Sequence, residues 1–163
     1  MMVDCIDFHI DTAHFVVPKP RRIGLVGCVK SKRDRPSPAR DLYTSPLFRG
    51  RRRHVEQTCD RWFVLSAKHG LVDPDTVLEP YDQTLKRAGR AERQRWSAAV
   101  LKALELELGS FSSTVFEIHA GDDYRAFGLV DGIRKLGGQV VVPTDRLSLG
   151  QQLAFYRTRE WNK

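Results

Sequence analysis

Three stretches of this sequence place reactive side chains where an apolar run gives way to glycine or to polar residues. In Gly27-Cys28-Val29-Lys30-Ser31-Lys32 a thiol and two ammonium groups fall within five residues. Ammonium groups and successive loop amides can cradle an anion, although this segment has neither the glycines of a P-loop nor those of a dinucleotide fingerprint. Cys28 is a candidate nucleophile, because a neighbouring cation favours the thiolate; a small residue packed at a strand end would look the same. The second stretch, Ser66-Ala67-Lys68-His69-Gly70, offers another cation and an imidazole suited to proton transfer, and His69 would serve equally as a turn residue before Gly70.

Downstream, Glu79-Pro80-Tyr81-Asp82 sets two carboxylates around a rigid proline and an aromatic ring. These types suit cleavage at an anomeric carbon: a carboxylate stabilises an oxocarbenium-like transition state or activates water, and Tyr81 would stack on a base. The third stretch, His119-Ala120-Gly121-Asp122-Asp123-Tyr124-Arg125, opens a helix, with Asp122 a possible cap, Asp123 an early-turn acid, Gly121 allowing close approach and Tyr124 facing the same rim. Cys5, His9 and His14 are spaced for neither a helix face nor a zinc ribbon, so neither a metal nor another cofactor is expected.

These stretches need a scaffold that brings them to one edge. Four β-type runs, 22–27, 62–66, 114–119 and 139–142, alternate with segments of helical period at 46–59, 91–108, 122–136 and 148–159. Strand and helix in alternation predict a single α/β domain of three layers, a mainly parallel central sheet flanked by helices, with functional residues just past the carboxyl ends of the strands. Residues 8–17 can add an edge strand or arm at the N-terminus, and residues 33–40, with two prolines and several cations, read as a mobile basic loop.

The chain of 163 residues fits one domain of ordinary size. No run approaches the roughly 18 apolar residues of a membrane helix, so no membrane partner is expected. Three cysteines without a CxxC spacing and an acidic N-terminus without a signal pattern predict a cytoplasmic protein with no disulfide framework. The net charge is +7, and residues 19–53 hold twelve Lys or Arg against two acids, a local excess that would attract nucleic acid or a polyphosphate. Arg33, Arg35, Arg51, Arg52 and Arg53 are the expected contacts to a nucleic-acid backbone.

The runs GCVKSKRD, DLYTSPLF, VLSAKHGLVDPDTVLEPYDQTL, HAGDDYR and LSLGQQL, spread over residues 23–155, resemble a bacterial and archaeal family of uncharacterised domains. That family is similar to the peroxide-stress protein YaaA and, more remotely, to the base-modifying core domain of archaeosine synthase. The resemblance implies an α/β fold built around nucleic-acid or nucleobase work. It also implies one pocket shared by Cys28, Lys30, Lys32, the Ser66 to Gly70 loop, Tyr81, Asp82, Gly121 and Tyr124.

Together these features predict an enzyme acting on a base in nucleic acid, DNA before RNA, as an N-glycosylase-like hydrolase in DNA repair or stress response. Asp82, Asp123, His69, Glu79 and Cys28 are its candidate catalytic groups, and Lys30, Lys32, Ser66, Lys68, Tyr81, Gly121 and Tyr124 its candidate substrate contacts. A DNA-binding stress protein without catalysis and a nucleotide- or nucleoside-processing enzyme are the alternatives.

Overall fold

A computed structural model of the chain describes residues 17–158. In order they form β1 (Arg21–Gly27), β2 (Ser37–Pro38), α1 (Ala39–Leu42), α2 (Pro46–Thr58), β3 (Arg61–Ser66), β4 (Gly70–Val72) and β5 (Val77–Leu78). A 3-10 turn (Leu85–Arg87) follows, then α3 (Arg90–Leu108), β6 (Thr114–His119), α4 (Asp122–Arg125), α5 (Leu129–Lys135), β7 (Gln139–Val141) and α6 (Leu149–Thr158). The main sheet runs β4-β3-β1-β6-β7, with every pair parallel except the edge pair β3–β4. This is the expected α/β architecture, and no helix among the described residues is long and apolar enough to cross a membrane.

Alternation along the strands decides what each face buries. Ile23 and Leu25 join Phe63, Leu65, Phe116 and Ile118 in the core under α3 and α5. Val26 and Val64 pack with Phe48 and Val55 of α2 on the other face. Helix α2 begins where Ser45 accepts a hydrogen bond from the Phe48 N–H at 3.1 Å, with Pro46 in the first position. It lies so near the sheet that a Cβ on Gly24 would come within 2.8 Å of Val55. Helix α3 stops at Gly109, whose φ of 69° suits glycine.

Two local expectations are corrected. The helix foreseen over 122–136 is broken into α4 and α5, because Gly128 at φ 121° turns the chain between them. Residues 33–40 are not loop throughout: the segment enters β2 at Ser37 and α1 at Ala39. Ser37 and Pro38 pair with β5, the N–H groups of Ala39 and Arg40 donate to Thr76 and Pro74, and buried Ser37 and Ala39 anchor the segment. The possible N-terminal edge strand at 8–17 and the Cys5, His9 and His14 group lie, apart from Val17, outside the described residues.

Candidate active site

The chain leaves β1 for β3 on one side and later returns to place β6 on the other, so the sheet order reverses at the β1–β6 boundary. Ligands of open α/β sheets settle at the carboxyl ends of the strands at such a point. Here the exits of β1 and β6 press together, since a Cβ on Gly27 would come within 2.8 Å of that of Ala120. Beyond them opens a pocket of about 390 Å³. Gly27 to Lys30 and Lys32 follow β1 into it; Gly121, Asp123 and Tyr124 enter from β6, Leu47 and Arg51 from α2, and Asp82 to Thr84 with Lys86 and Arg87 from the segment before α3.

Five cations and two carboxylates meet in this lining. The Cys28 sulfur takes the Ala67 N–H at 3.4 Å and lies 3.0 Å from the Tyr124 hydroxyl. Burial, then the neighbouring sulfur, push the Tyr124 phenol well above its ordinary range, so it stays a neutral hydrogen-bonding group. Burial also lowers the Lys32 ammonium, against the favourable charges of Cys28 and Asp82. Arg93 of α3 ties the wall together, holding the Asp123 carboxylate at 3.0 Å while its Nε donates to the Leu85 carbonyl at 2.9 Å. Asp82 is exposed at the rim and makes no hydrogen bond or ion pair among the described residues, which leaves its charge available to a ligand.

The expected site residues therefore divide. Cys28, Lys30, Lys32, Asp82, Gly121, Asp123 and Tyr124 share the pocket. Ser66, Lys68, His69, Glu79 and Tyr81 do not line it. Lys68 and His69 are exposed in the turn between β3 and antiparallel β4; this turn borders the pocket through Gln83, which donates to the Ala67 carbonyl at 3.5 Å, and the His69 ring packs 5.5 Å from that of Tyr81. Lys68, another expected substrate contact, is not among the residues that line the pocket with Lys30 and Lys32. Burial and the charge of Lys68 lower the His69 imidazole. Ser66 is buried; its Oγ accepts the His69 N–H at 3.0 Å and lies 2.8 Å from the Tyr81 hydroxyl. Tyr81 also meets the Tyr43 hydroxyl at 2.6 Å and has the Lys32 ammonium 4.5 Å from its ring centre, so it is a packed support for Lys32 rather than a free stacking face. Glu79 is exposed.

The basic segment is also less free than its composition suggests. Arg22 binds Glu117, Arg40 binds Asp75, and Arg52 binds both Asp41 and Glu56. Arg51, expected at the surface, is 7% exposed and lines the pocket. Arg33 and Arg35 are exposed as expected, while Arg53 joins Arg49 and Arg157 along a shallower cleft between α2 and α6.

A second polar cluster, not foreseen, lies under α2 and α6. Glu117 and His119 alternate along β6 and so share a face with His54 of α2; all three are buried. Oε1 of Glu117 meets Nε2 of His54 at 2.5 Å and Nε2 of His119 at 2.8 Å, while Arg22 donates to Oε2 at 2.7 Å. Burial alone would raise this carboxyl; the hydrogen bonds from His119, His54 and Arg22 outweigh it and hold Glu117 well below the usual carboxylate range. Burial keeps His119 neutral-leaning, and burial pushes the adjoining Cys59 thiol up to about 11. His54, Glu117 and His119 are the described residues able to hold a divalent cation. Their spacing, however, is that of hydrogen bonds closed on one carboxylate, with a guanidinium neutralising it. The signal was present in the sequence: an acid and a histidine two apart inside a strand that is otherwise apolar. Lys86, Arg87, Gln83 and Thr84 were missed because nothing in their own segment marks them; the fold carries them to the pocket.

No curated protein and no solved structure matches the chain. Residues 23–158 match a family of unknown function, DUF6884, and the chain belongs to that family.

Proposed function

We propose that this protein breaks the N-glycosidic bond of a nucleotide held in the pocket at the β1–β6 boundary. A nucleotide within DNA is the first candidate substrate and a free nucleotide the second. The observation that carries the reading is Asp82, a carboxylate that makes no hydrogen bond or ion pair among the described residues, at the rim of a pocket otherwise dominated by cations. Such a lining suits a ligand that is anionic at one end and develops positive charge at its anomeric carbon during cleavage. Asp82 would stabilise that charge or activate the water that attacks it, and Lys30, Lys32, Lys86 and Arg87 would hold phosphate. Asp123, fixed by Arg93, is the second carboxylate. The likeness of the motif residues to YaaA and to the archaeosine synthase core supports nucleobase chemistry at this edge.

The cations Arg49 and Arg157 along the cleft between α2 and α6 favour a polymeric substrate, because they suit contacts to a phosphate backbone. The ion pairs of Arg22, Arg40 and Arg52 favour the free nucleotide, because they reduce the field that the sequence promised. Chromatography of free base released from DNA carrying normal and modified bases, and from nucleoside monophosphates, tests both. Asp82→Asn keeps the shape and removes the charge, so it should slow single-turnover base release by at least about tenfold, roughly 1.4 kcal/mol in the barrier, with affinity nearly unchanged. Full activity in that variant removes Asp82 from the mechanism, and no release from any substrate defeats the glycosidic reading.

A further inference from the structure

The chemistry proposed above leaves one pocket residue unexplained. Arg51 is 7% exposed, yet no carboxylate among the described residues pairs with it. Its NH2 group donates to the neutral Gln152 Oε1 at 3.3 Å, its Nε is buried without a hydrogen-bond partner, and burial lowers its pKa, opposed by the Tyr156 hydroxyl. Two other arginines have an orphaned Nε, Arg40 and Arg125, but each binds an aspartate through its remaining nitrogens and neither lines the pocket. A buried guanidinium without a counter-charge is costly, and proteins retain one where a ligand completes it. Tyr156 further secures it from behind: its hydroxyl lies 2.6 Å from His119 Nδ1, anchoring the phenol to the Glu117 network.

We propose that Arg51 is the receptor for a terminal phosphate monoester of the ligand. The assignment rests on the nucleotide reading and narrows it: it keeps the free nucleotide and a nucleotide at a 5′-phosphorylated end of DNA, and sets aside one within the strand. Two oxygens of a monoester match the planar fork of a guanidinium, and a dianion supplies the missing charge. Lys30, Lys32, Lys86 and Arg87 lie nearer the solvent and complete the phosphate's surroundings. A group that reaches an arginine this buried ends there, so the phosphate is a chain terminus: that of a free nucleotide or the 5′-phosphate end of an oligonucleotide.

Thermal unfolding tests this, with inorganic phosphate, a nucleoside and its 5′-monophosphate, and an oligonucleotide with and without a 5′-phosphate as probes. The wild-type protein should be stabilised by phosphate and the monophosphate, at least about tenfold more tightly than by the nucleoside. Arg51→Met should melt at the same temperature as the wild type or higher, since it removes an uncompensated buried charge, and should lose at least about tenfold in affinity for phosphate and monophosphate. The free nucleotide and the phosphorylated oligonucleotide, compared directly, tell the two sources apart. Equal binding of nucleoside and monophosphate, or unaltered phosphate affinity in Arg51→Met, overturns the assignment. Should Arg51→Met not fold, the Arg51 Nε–H resonance of the wild-type protein gives the answer: it should move on adding phosphate, and a resonance that stays still at saturation overturns the assignment. Base release in the same samples is a separate readout. A wild-type protein that releases base but is not stabilised by phosphate removes only this assignment, and phosphate binding through Arg51 without base release removes only the glycosidic reading.

Discussion

The Glu117 network and the pocket at the β1–β6 boundary are both polar regions set into an apolar domain, joined through Tyr156 and Arg51, and they differ in how fully their groups are satisfied. Within the network each Glu117 oxygen has a donor, both imidazoles reach the carboxylate and Arg22 balances the charge. In the pocket, among the described residues, Asp82 makes no hydrogen bond or ion pair, no carboxylate pairs with Arg51, and the cations outnumber the acids. A closed network is what structural burial of polar groups requires, and an open one is what a ligand completes. Burial and unusual residues alone would have ranked the network first; satisfaction reverses the order.

Glu117→Gln should have the largest effect. It removes the charged acceptor shared by His54 and His119 and leaves Arg22, whose side chain is 35% exposed, without its ion pair, costing about 1–3 kcal/mol in urea denaturation. The folded-state pKa of Glu117 lies below its unfolded value near 4.3, so its contribution is fully present above that value and is lost as pH falls through the acid range. The gap between wild type and Glu117→Gln should therefore narrow below about pH 4. A gap that is constant with pH would mean that the carboxylate is not held charged. Tyr156→Phe removes the link between the regions and should cost roughly 1 kcal/mol, measured the same way, together with part of the phosphate stabilisation. If it costs stability but leaves phosphate binding intact, the two regions are independent.

Asp82→Asn belongs to the open region and should change stability by less than about 0.5 kcal/mol, although it slows base release. Substantial destabilisation would show that Asp82 is structural and erase the contrast. The smallest effects are expected at the outer hairpin, where Lys68→Ala and His69→Ala should each alter base release by less than about twofold. A larger loss would bring the β3–β4 turn back into the site.

The architecture was legible because strands and helices of this chain keep their own periods: Ile23 and Leu25 against Val26, and the α3 stripe ended by Gly109, announce their partners. Half of the site was legible for the same reason, since Cys28, Lys30, Gly121 and Asp123 sit at strand ends that the parallel sheet must bring together. The rest depended on long-range geometry. Local spacing treats Lys68 like Lys30, yet only Lys30 lines the pocket. Nor does spacing show that Arg51 points inward while Arg53, two residues on, faces out, because an arginine run hides the helical phase that apolar residues would reveal. The break between α4 and α5 was masked by a continuous helical pattern, with Gly128 as its one visible cue.

Backbone amide chemical-shift mapping during titration with a nucleoside 5′-monophosphate shows whether the open pocket is where the ligand sits. The account predicts saturable shifts at 27–32, at 82–87, at 121–124 and around Arg51, with β4 and the outer hairpin unmoved. Shifts centred instead on 68–79 or on the exposed residues Arg33 and Arg35, or none at saturating nucleotide, would contradict it.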